Sequence, residues 1–343
     1  MRELDANACI AVAGAGSVGG HVGGCLALAG RHVTLLARAH LSEAVNRQGL
    51  LVGDLGGGQR RLDHGAIGAS TDPAQALFDA ALVLVTVKSG DTETIGRQIA
   101  THAPTDAIVV SLQNGVSNPD HLRALVGPRR VVAGMVPFNV VQDRAVGAPL
   151  FRRTTSGGVL VEAGVPGLRG LLDVEGLSVE EHGAMPAVLW GKLLLNLNNA
   201  LNGLSGLPLA AQLADRRWRR VLAMQIGEAL AAMKAAGIRP ARIGALRPSL
   251  LPFLLRLPDG VFRVLARRML TVDAEARSST YDDLERRRAT EIDAFQGEIA
   301  RLAEATGTQA PLTAAILSAV RDAEAAGRGS PRLPPETFDA LLR

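Results

Sequence analysis

Aromatic residues make up only 3% of this 343-residue sequence, and cysteine occurs only twice. A protein that binds single-stranded nucleic acid usually stacks bases on aromatic rings, so this composition disfavours nucleic acid as a partner. Cys9 and Cys25 lack the paired spacing of a metal site or a disulfide framework. We therefore predict no metal site, and we interpret both cysteines as small core residues of a cytoplasmic protein.

Long apolar runs are also missing. A membrane-spanning helix needs roughly 20 apolar residues, and the longest runs here, such as 80–87, are far shorter. The first seven residues are polar and acidic, and no secretion signal is visible. The net charge is a modest +4, and its densest arginine groups, at 216–220 and 286–288, are explained by solvated helix faces. We expect no membrane segment.

The chain is long and apolar enough for two domains, and its pattern changes near residue 184. In residues 1–184, short apolar runs alternate with helical or turn-rich segments, which predicts a parallel sheet with crossover helices, the Rossmann-like doubly wound fold. The predicted strands are 9–13, 32–37, 81–87, 107–112 and 131–136. A glycine-rich stretch at 49–68 predicts a small hairpin, and 157–162 and 176–181 resemble further strands.

Residues 185–343 are predicted to form an all-α domain, because strand patterns end and helical periodicity takes over. The predicted helices are 188–204, 218–236, 261–269, 275–306 and 312–326. Glycine and proline groups separate them at 206–208, 237–240, 248–258 and 307–311. The many apolar residues at 250–257 and 261–270 leave two interpretations open, an internal core or a homodimer interface.

A glycine motif follows the first predicted strand. Residues 14–19 read Gly-Ala-Gly-Ser-Val-Gly, the G-x-G-x-x-G pattern of dinucleotide-binding proteins, in the required context of a strand before and a helix after. Gly14 permits the tight turn, Gly16 lets the backbone approach a pyrophosphate, and Gly19 allows close packing of helix on strand. Ala15, Ser17 and Val18 supply the backbone between them. The alternative is a glycine-rich turn without a ligand.

Arg38 ends the second predicted strand, where NAD-specific proteins commonly carry an acidic residue that binds the ribose hydroxyls. A guanidinium at this position can bind a 2′-phosphate through charge-assisted hydrogen bonds. This favours NADPH over NADH as the cofactor, and the alternative is a solvated arginine.

Five further segments occur in one family's order. The sequence reads Val-Thr-Val-Lys at 85–88, Gln-Asn-Gly at 113–115, Trp-Gly-Lys-Leu-Leu-Leu-Asn at 190–196, Ser-Ser at 278–279 and Thr-Glu-Ile-Asp at 290–293. Together they resemble the 2-dehydropantoate 2-reductase, or ketopantoate reductase, family over nearly the whole chain. That family reduces the C2 ketone of 2-dehydropantoate to pantoate with NADPH, on the route to coenzyme A.

The resemblance implies a role for each matching residue. Lys192 is implied as the general acid, Asn114 as a contact to cofactor and substrate, and Lys88 as a residue at the cofactor's edge. Asn196 and Ser279 are implied to hold the substrate, with Asn199 as a substitute for the family's second asparagine, and Glu291 is implied to lie near Lys192 and the nicotinamide. This chain departs from the family pattern at two positions, where it has Ala200 and Ala276 in place of asparagine.

Lys192 fits this role on chemical grounds too. Hydride delivery to a carbonyl builds negative charge on the oxygen, which a nearby ammonium stabilises and protonates. Its apolar neighbours, Trp190 and Leu193 to Leu195, predict a lowered pKa. Asn196 lies four residues later on the same helical face. Asn198, Asn199 and Asn202 follow, and we expect at least two of these four amides to bond neighbouring helices.

One tension concerns the helix geometry, and alternatives stay open for two residue roles and for the function. Ser279 and Glu291 are twelve positions apart, so on one regular helix they would not share a narrow face. Glu291 is otherwise an ordinary solvated glutamate, and Lys192 a lysine whose amine reaches solvent from an apolar helix. The alternative functions are reduction of another branched 2-oxo acid, favoured by Ala200 and Ala276, and a non-catalytic NADPH sensor.

Overall fold

The computed structural model describes residues 4–143, 147–242, 246–265 and 276–342. They form two compact units, Met1–Met185 and Pro186–Arg343. In the described part of the chain, no helix is both long and apolar enough to cross a membrane.

Twelve strands are described in the first unit. They are β1 (Ile10–Ala13), β2 (Val33–Leu36), β3 (Leu50–Gly53), β4 (Gln59–Leu62), β5 (Gly68–Ser70), β6 (Leu82–Val85), β7 (Ile108–Ser111), β8 (Arg130–Met135), β9 (Val140–Asp143), β10 (Leu150–Arg153), β11 (Val159–Glu162) and β12 (Val179–His182). The helices between them are α1 (Ser17–Leu28), α2 (Ala39–Gln48), α3 (Pro73–Leu77), α4 (Thr92–His102), α5 (Asn118–Leu125) and α6 (Leu168–Leu172).

Eight of these strands form one sheet in the order β12-β11-β8-β7-β6-β1-β2-β5. From β5 to β8 every pairing is parallel, and β11 joins β8 antiparallel. The side chains of β1 alternate between two cores, with Ile10 and Val12 in one and Ala11 and Ala13 in the other. Both faces are therefore buried, which explains why the central strands are continuous apolar runs. The Rossmann-like fold and its five predicted strands are confirmed.

A second sheet, in the order β4-β3-β10-β9, packs on the other side of α1. The predicted hairpin at 49–68 is its antiparallel β3–β4 pair. Strands β5, β9 and β10 were not predicted, because each has only three or four residues, and β5 and β10 pair with strands far away in sequence. Gly20 of α1 lies so close to β10 that a Cβ there would be 2.3 Å from the Phe151 ring.

The second unit is helical, as predicted. Its described α-helices are α7 (Met185–Asn196), α8 (Asn198–Ser205), α9 (Leu209–Ala214), α10 (Arg216–Ala235), α11 (Leu251–Arg256), α12 (Asp259–Leu265), α13 (Ser279–Glu285), α14 (Ile292–Thr306) and α15 (Pro311–Ala326). The last four positions of the predicted helix 261–269, and Glu275 at the start of another, lie outside the described residues.

The predicted helix 275–306 is wrong, because α13 and α14 are separate. Arg287 adopts a left-handed φ of 53° just after α13. The Arg288 N–H donates to the Asp283 carbonyl at 2.8 Å and the Arg287 N–H to the Leu284 carbonyl at 3.0 Å. This is the Schellman ending of a helix, which usually has glycine at the left-handed position. Because arginine occupies this position, no glycine in the sequence marks the end of α13.

Two other helix boundaries differ from the prediction. The segment 188–204 is interrupted at Leu197, whose carbonyl accepts a hydrogen bond from Gln296 Nε2 at 2.9 Å. The segment 248–258, predicted as a break, forms a 3-10 helix (Pro248–Leu250) followed by α11. Its prolines are compatible with helix, because they lie at first-turn positions or after the helix end.

Candidate functional site

The glycine loop joins β1 to α1 as its motif requires. Gly14 has a φ of +103°, and a Cβ there would be 2.5 Å from the Val87 side chain. At Gly19, a Cβ would be 2.4 Å from Thr86 Oγ1 and 2.5 Å from the Gly14 carbonyl oxygen. At Gly16, by contrast, the position of a Cβ has no protein atom within 4 Å. Gly14 and Gly19 therefore serve the turn and the packing, while Gly16 leaves space for a ligand.

The amino terminus of α1 offers hydrogen-bond donors next to that space. Gly16 is the residue before the helix, and no side chain caps it. The first N–H groups of a helix have no partner within it and carry partial positive charge, which suits a pyrophosphate. The loop thus fits the diphosphate of a dinucleotide.

Thr86 fixes the loop from the neighbouring strand, a role that the sequence analysis did not assign. Its hydroxyl donates to the Gly14 carbonyl oxygen at 2.7 Å, and its backbone N–H donates to the Ala13 carbonyl at 2.9 Å. The motif Val-Thr-Val-Lys at 85–88 marked Thr86 in the sequence. Its partner, Gly14, became evident only from the pairing of β1 with β6.

Arg38 is exposed at the carboxyl end of β2, where it is the residue before α2. Its guanidinium makes no hydrogen bond or ion pair with the described residues. A cationic group without a carboxylate partner at this edge is available to an anionic ligand.

Lys88 and Asn114 follow β6 and β7, and both are partly buried. A network of polar side chains connects the ends of these strands. Asn118 Nδ2 donates to the Asn114 carbonyl at 2.5 Å and to Ser89 Oγ at 2.9 Å. Buried Gln113 donates to Thr92 Oγ1 at 2.7 Å, and that hydroxyl donates to Asn118 Oδ1 at 2.9 Å. The network holds the Asn114 carbonyl and the side chains of Ser89 and Gln113, which are the neighbours of Lys88 and Asn114 in sequence.

All these residues lie at one edge of the parallel sheet. The strands β2, β1, β6 and β7 are neighbours, and Arg38, the glycine loop, Lys88 and Asn114 come directly after their carboxyl ends. The chain order reverses between β1 and β6, which is the switch point where open α/β sheets bind ligands. The first unit therefore brings together every cofactor residue predicted within it.

Lys192 lies in the middle of α7 and is partly buried. Burial lowers the pKa of its amine from 10.5 to about 8, and the charge of Glu291 partly opposes this shift. The direction agrees with the prediction from its apolar neighbours. An ammonium with this pKa holds its proton at neutral pH and releases it readily, as a general acid must.

Glu291 is the residue before α14 and is partly buried. Since α13 and α14 are separate helices, the expected 120° separation of Ser279 and Glu291 around one helix does not apply. The electrostatic effect of Glu291 on Lys192 shows that the second unit brings these two residues near each other.

The four amides after Lys192 divide into two pairs. Asn198 and Asn202 bond Gln212 of α9, with amide contacts of 3.1 Å each, which confirms the expectation that at least two would bond neighbouring helices. The side chains of Asn196 and Asn199 are partly buried and make no hydrogen bond with the described residues. Buried amides need partners, so these two are the ones open to a ligand.

Ser279 and its neighbour Ser278 differ in environment. Ser278 is buried and caps α13 by accepting from the Tyr281 N–H at 3.2 Å, while its hydroxyl donates to the Asn199 carbonyl at 2.9 Å. Ser279 is exposed at the first position of α13. The contact of Ser278 with Asn199 places Ser279 close to α8.

A cavity of about 320 Å³ lies elsewhere in the first unit and contains none of the predicted site residues. Its lining includes buried His21 and Cys25, whose Nε2 and Sγ are 3.6 Å apart. Burial raises the pKa of Cys25 to about 11, so its thiol stays protonated at neutral pH. Cys9 precedes β1, and neither Cys9 nor Cys25 forms a disulfide. Among the described residues, no cluster of three or more histidine, cysteine or acidic residues could hold a metal ion.

The doubly wound sheet and the glycine loop at its switch point define the class: the first unit is an NAD(P)-binding, Rossmann-like unit of an oxidoreductase. Residues 10–155 match the family model "Ketopantoate reductase PanE/ApbA", and residues 185–324 match its C-terminal model. The chain therefore belongs to the ketopantoate reductase family.

Relatives agree with this assignment over nearly their full length. A 2-dehydropantoate 2-reductase of Archaeoglobus fulgidus is 28% identical, over 92% of this chain and 97% of that protein. The crystal structure of a PanE/ApbA family ketopantoate reductase from Ralstonia eutropha JMP134 is 29% identical, with a TM-score of 0.78 over 93% of this chain and 99% of that one. A D-mandelate dehydrogenase structure is 19% identical with a TM-score of 0.75, over 93% and 99% of the two chains, and shows the same fold.

Proposed function

We propose that this protein reduces 2-dehydropantoate to pantoate with NADPH, on the route to coenzyme A. The observation that carries the proposal is Lys192, a partly buried ammonium with a pKa of about 8 next to Glu291 in the second unit. The family and the ordered motifs supply the substrate. A cytoplasmic location belongs to the same proposal, since neither cysteine forms a disulfide.

The chemistry follows from the residues of the two units. The reduced nicotinamide, when bound, supplies the hydride. The glycine loop of residues 14–19 binds the diphosphate through backbone N–H groups, and Arg38 binds the 2′-phosphate. Lys88 lies at the cofactor's edge, and Asn114 contacts cofactor and substrate.

In the second unit, Lys192 donates a hydrogen bond to the ketone oxygen and then its proton, as charge builds there. Glu291 keeps the amine protonated, because its negative charge raises the pKa that burial lowers. The polar groups of the substrate bind to Asn196, Asn199 and Ser279, whose side chains make no hydrogen bond with the described residues.

A second candidate is the reduction of another branched 2-oxo acid. It is favoured by Ala200 and Ala276, which replace two asparagines of the family pattern and remove polar contacts from this region. The loss of hydrogen-bonding groups changes which substrates are preferred, because a site discriminates strongly through groups that the substrate must satisfy.

The test is NADPH oxidation with a panel of 2-oxo acids, assayed with both reduced cofactors. We expect 2-dehydropantoate to give the highest kcat/KM, and NADPH to exceed NADH. Turnover only with another 2-oxo acid would replace the substrate and keep the reaction class. No turnover with any of them would favour the non-catalytic NADPH sensor.

A homodimer is also part of the proposal. In α11 and α12, Leu251, Leu255 and Phe262 are buried within the chain, but Phe253 and Val261 remain 69% and 47% exposed. An internal core thus accounts for only some of these apolar residues, and a second copy could cover the rest. Light scattering at micromolar concentration is expected to give twice the mass of one chain, and a monomer mass would exclude a tight dimer.

A further inference from the structure

Asn202 is the centre of a buried polar network in the second unit. Its side chain lies in α8 with none of its surface exposed. Its Oδ1 accepts from the Ser278 N–H at 2.8 Å, and its Nδ2 donates to the Leu207 carbonyl at 2.8 Å and to Gln212 Oε1 at 3.1 Å. Both amide hydrogens and the carbonyl are therefore in use.

The hydrogen bonds of its side chain distinguish Asn202 from the nearby Asn199. Asn199 lies three residues earlier, and its side chain makes no hydrogen bond with the described residues. Because an amide has two N–H donors and one carbonyl oxygen, Asn202 has no donor left for a substrate. The Asn202 side chain therefore links α8, the turn after it and the start of α13 through hydrogen bonds.

The connection ends next to two proposed substrate contacts. Ser278, held by Asn202 through its backbone N–H, donates its hydroxyl to the Asn199 carbonyl at 2.9 Å. Ser279 is the next residue. The two helices approach closely here, since a Cβ at Gly203 would lie 2.8 Å from the Thr280 side chain.

We propose that Asn202 is a positioning residue that sets the spacing between Ser279 at the start of α13 and Asn199 on α8. This inference rests on the proposed function, in which both residues hold the 2-oxo acid. Several contacts hold the start of α13: Ser278 donates its N–H to Asn202 Oδ1 at 2.8 Å and its hydroxyl to the Asn199 carbonyl at 2.9 Å, and the Ala276 carbonyl accepts from the Leu209 N–H at 2.9 Å. Asn202 is the side chain among these partners that also binds the turn after α8, at the Leu207 carbonyl.

Only an amide supplies this combination of contacts at position 202. An aspartate accepts from the Ser278 N–H but cannot donate to the Leu207 carbonyl or to Gln212. A leucine has nearly the same volume and leaves all three partners unsatisfied in a buried place. The start of α13 then moves to find other partners, and Ser279 moves with it.

The experiment compares Asn202→Leu with a control that also removes a buried amide. Gln225 of α10 is fully buried, and its two amide atoms have no hydrogen-bond partner in the described part of the chain. Gln225→Met therefore deletes a buried amide of the same unit without breaking hydrogen bonds. For each variant, kcat and KM for the best 2-oxo acid, the Kd of NADPH and the Tm are measured.

We expect Asn202→Leu to raise KM about tenfold or more, since a small misplacement of a substrate contact has effects of this size. The Kd of NADPH is expected to stay at the wild-type value in both variants, and Gln225→Met to keep the wild-type KM. A lowered Tm with unchanged KM in Asn202→Leu would show a structural role only and overturn the inference.

If Asn202→Leu does not fold, a second pair of variants tests the next contact of the same network, from the Ser278 hydroxyl to the Asn199 carbonyl. Ser278→Ala removes the hydroxyl that bonds the Asn199 carbonyl, and Ser278→Thr keeps it. KM is expected to rise in Ser278→Ala and to recover in Ser278→Thr, and equal KM values in both would contradict the proposal. A wild-type chain that reduces no 2-oxo acid would instead overturn the proposed function and this inference together.

Discussion

In the first unit, the glycine loop, Arg38 and Lys88 directly follow three neighbouring parallel strands. In the second unit, Lys192 lies inside one helix, whereas Ser279 and Glu291 lie at the starts of two others. Strand pairing sets where the first set lies along the sheet edge, because backbone hydrogen bonds set the register of a sheet, and a few side chains such as Thr86 then hold the loop. The second set depends on side-chain contacts such as Ser278 with Asn199.

This difference has a consequence for single substitutions. The cofactor edge is sensitive where a new Cβ would meet backbone, as at Gly14 and Gly19. The helical site is sensitive where one side chain supplies charge or a contact, as at Lys192 and Asn202. Substitutions in the two units are therefore expected to separate cofactor binding from catalysis.

Lys192→Ala tests that separation with the largest expected effect. Loss of a general acid lowers kcat by about 10²- to 10⁴-fold, while the Kd of NADPH is expected to change little because its predicted contacts are mostly in the first unit. Lys234→Ala, at an exposed lysine near the end of α10, is the matched control. A Lys192→Ala enzyme that keeps most of its kcat would contradict the assignment.

Gly16→Ala and Gly19→Ala sharpen the comparison within the glycine loop. A methyl group at Gly19 collides with Thr86 and the Gly14 carbonyl, so overpacking is expected to cost about 1–3 kcal/mol of stability, seen as a lower Tm. At Gly16 the added methyl group meets no protein atom within 4 Å, so the Tm of Gly16→Ala is expected to equal that of the wild type. The Kd of NADPH is expected to rise about tenfold, the effect of losing one hydrogen bond.

Gly170→Ala is the control for this pair, since its added Cβ also meets no protein atom within 4 Å. It lies in α6, away from the predicted cofactor residues in sequence. If Gly16→Ala bound NADPH as tightly as Gly170→Ala does, the space at Gly16 would not be the diphosphate site.

Arg38→Gln has an effect that is restricted to one cofactor. Loss of charge-assisted hydrogen bonds to the 2′-phosphate raises the Kd of NADPH by about 10- to 100-fold, and the Kd of NADH stays the same. Arg47→Gln removes an exposed arginine from the last turn of the same helix, α2, and should change neither value. Equal affinity of the wild type for NADPH and NADH would contradict the proposal that Arg38 binds the 2′-phosphate.

The sequence predicted those features that depend on residues close together along the chain. The five central strands and the glycine loop could be predicted, because buried parallel strands are continuous apolar runs and the motif has a fixed position between strand and helix. Lys192 was singled out by the family motif at 190–196, and its apolar neighbours in sequence predicted the lowered pKa.

What the sequence did not show depends on contacts between distant residues. The break before α14 has arginine at the left-handed position, so no glycine marked it. The break at Leu197 coincides with a hydrogen bond from Gln296, 99 residues later. The different environments of Ser278 and Ser279, and the role of Thr86, likewise arise from long-range contacts that neither periodicity nor motif spacing shows.

The charge coupling of Lys192 with Glu291 permits one further comparison, between the wild type and Glu291→Gln. Removing the negative charge is expected to lower the pKa of Lys192, because Glu291 raises it. Glu304→Gln changes an exposed carboxylate on the same helix, α14, and serves as the control.

The pH dependence of kcat for ketone reduction tests the central claim, that Lys192 is the proton donor, most directly. A general acid must be protonated, so the wild-type rate is expected to be level below about pH 8 and to fall above it, as Lys192 loses its proton. In Glu291→Gln the fall should begin at lower pH, and in Glu304→Gln at the wild-type pH. A rate that stays level through pH 10, or a fall that Glu291→Gln does not move, would contradict the account.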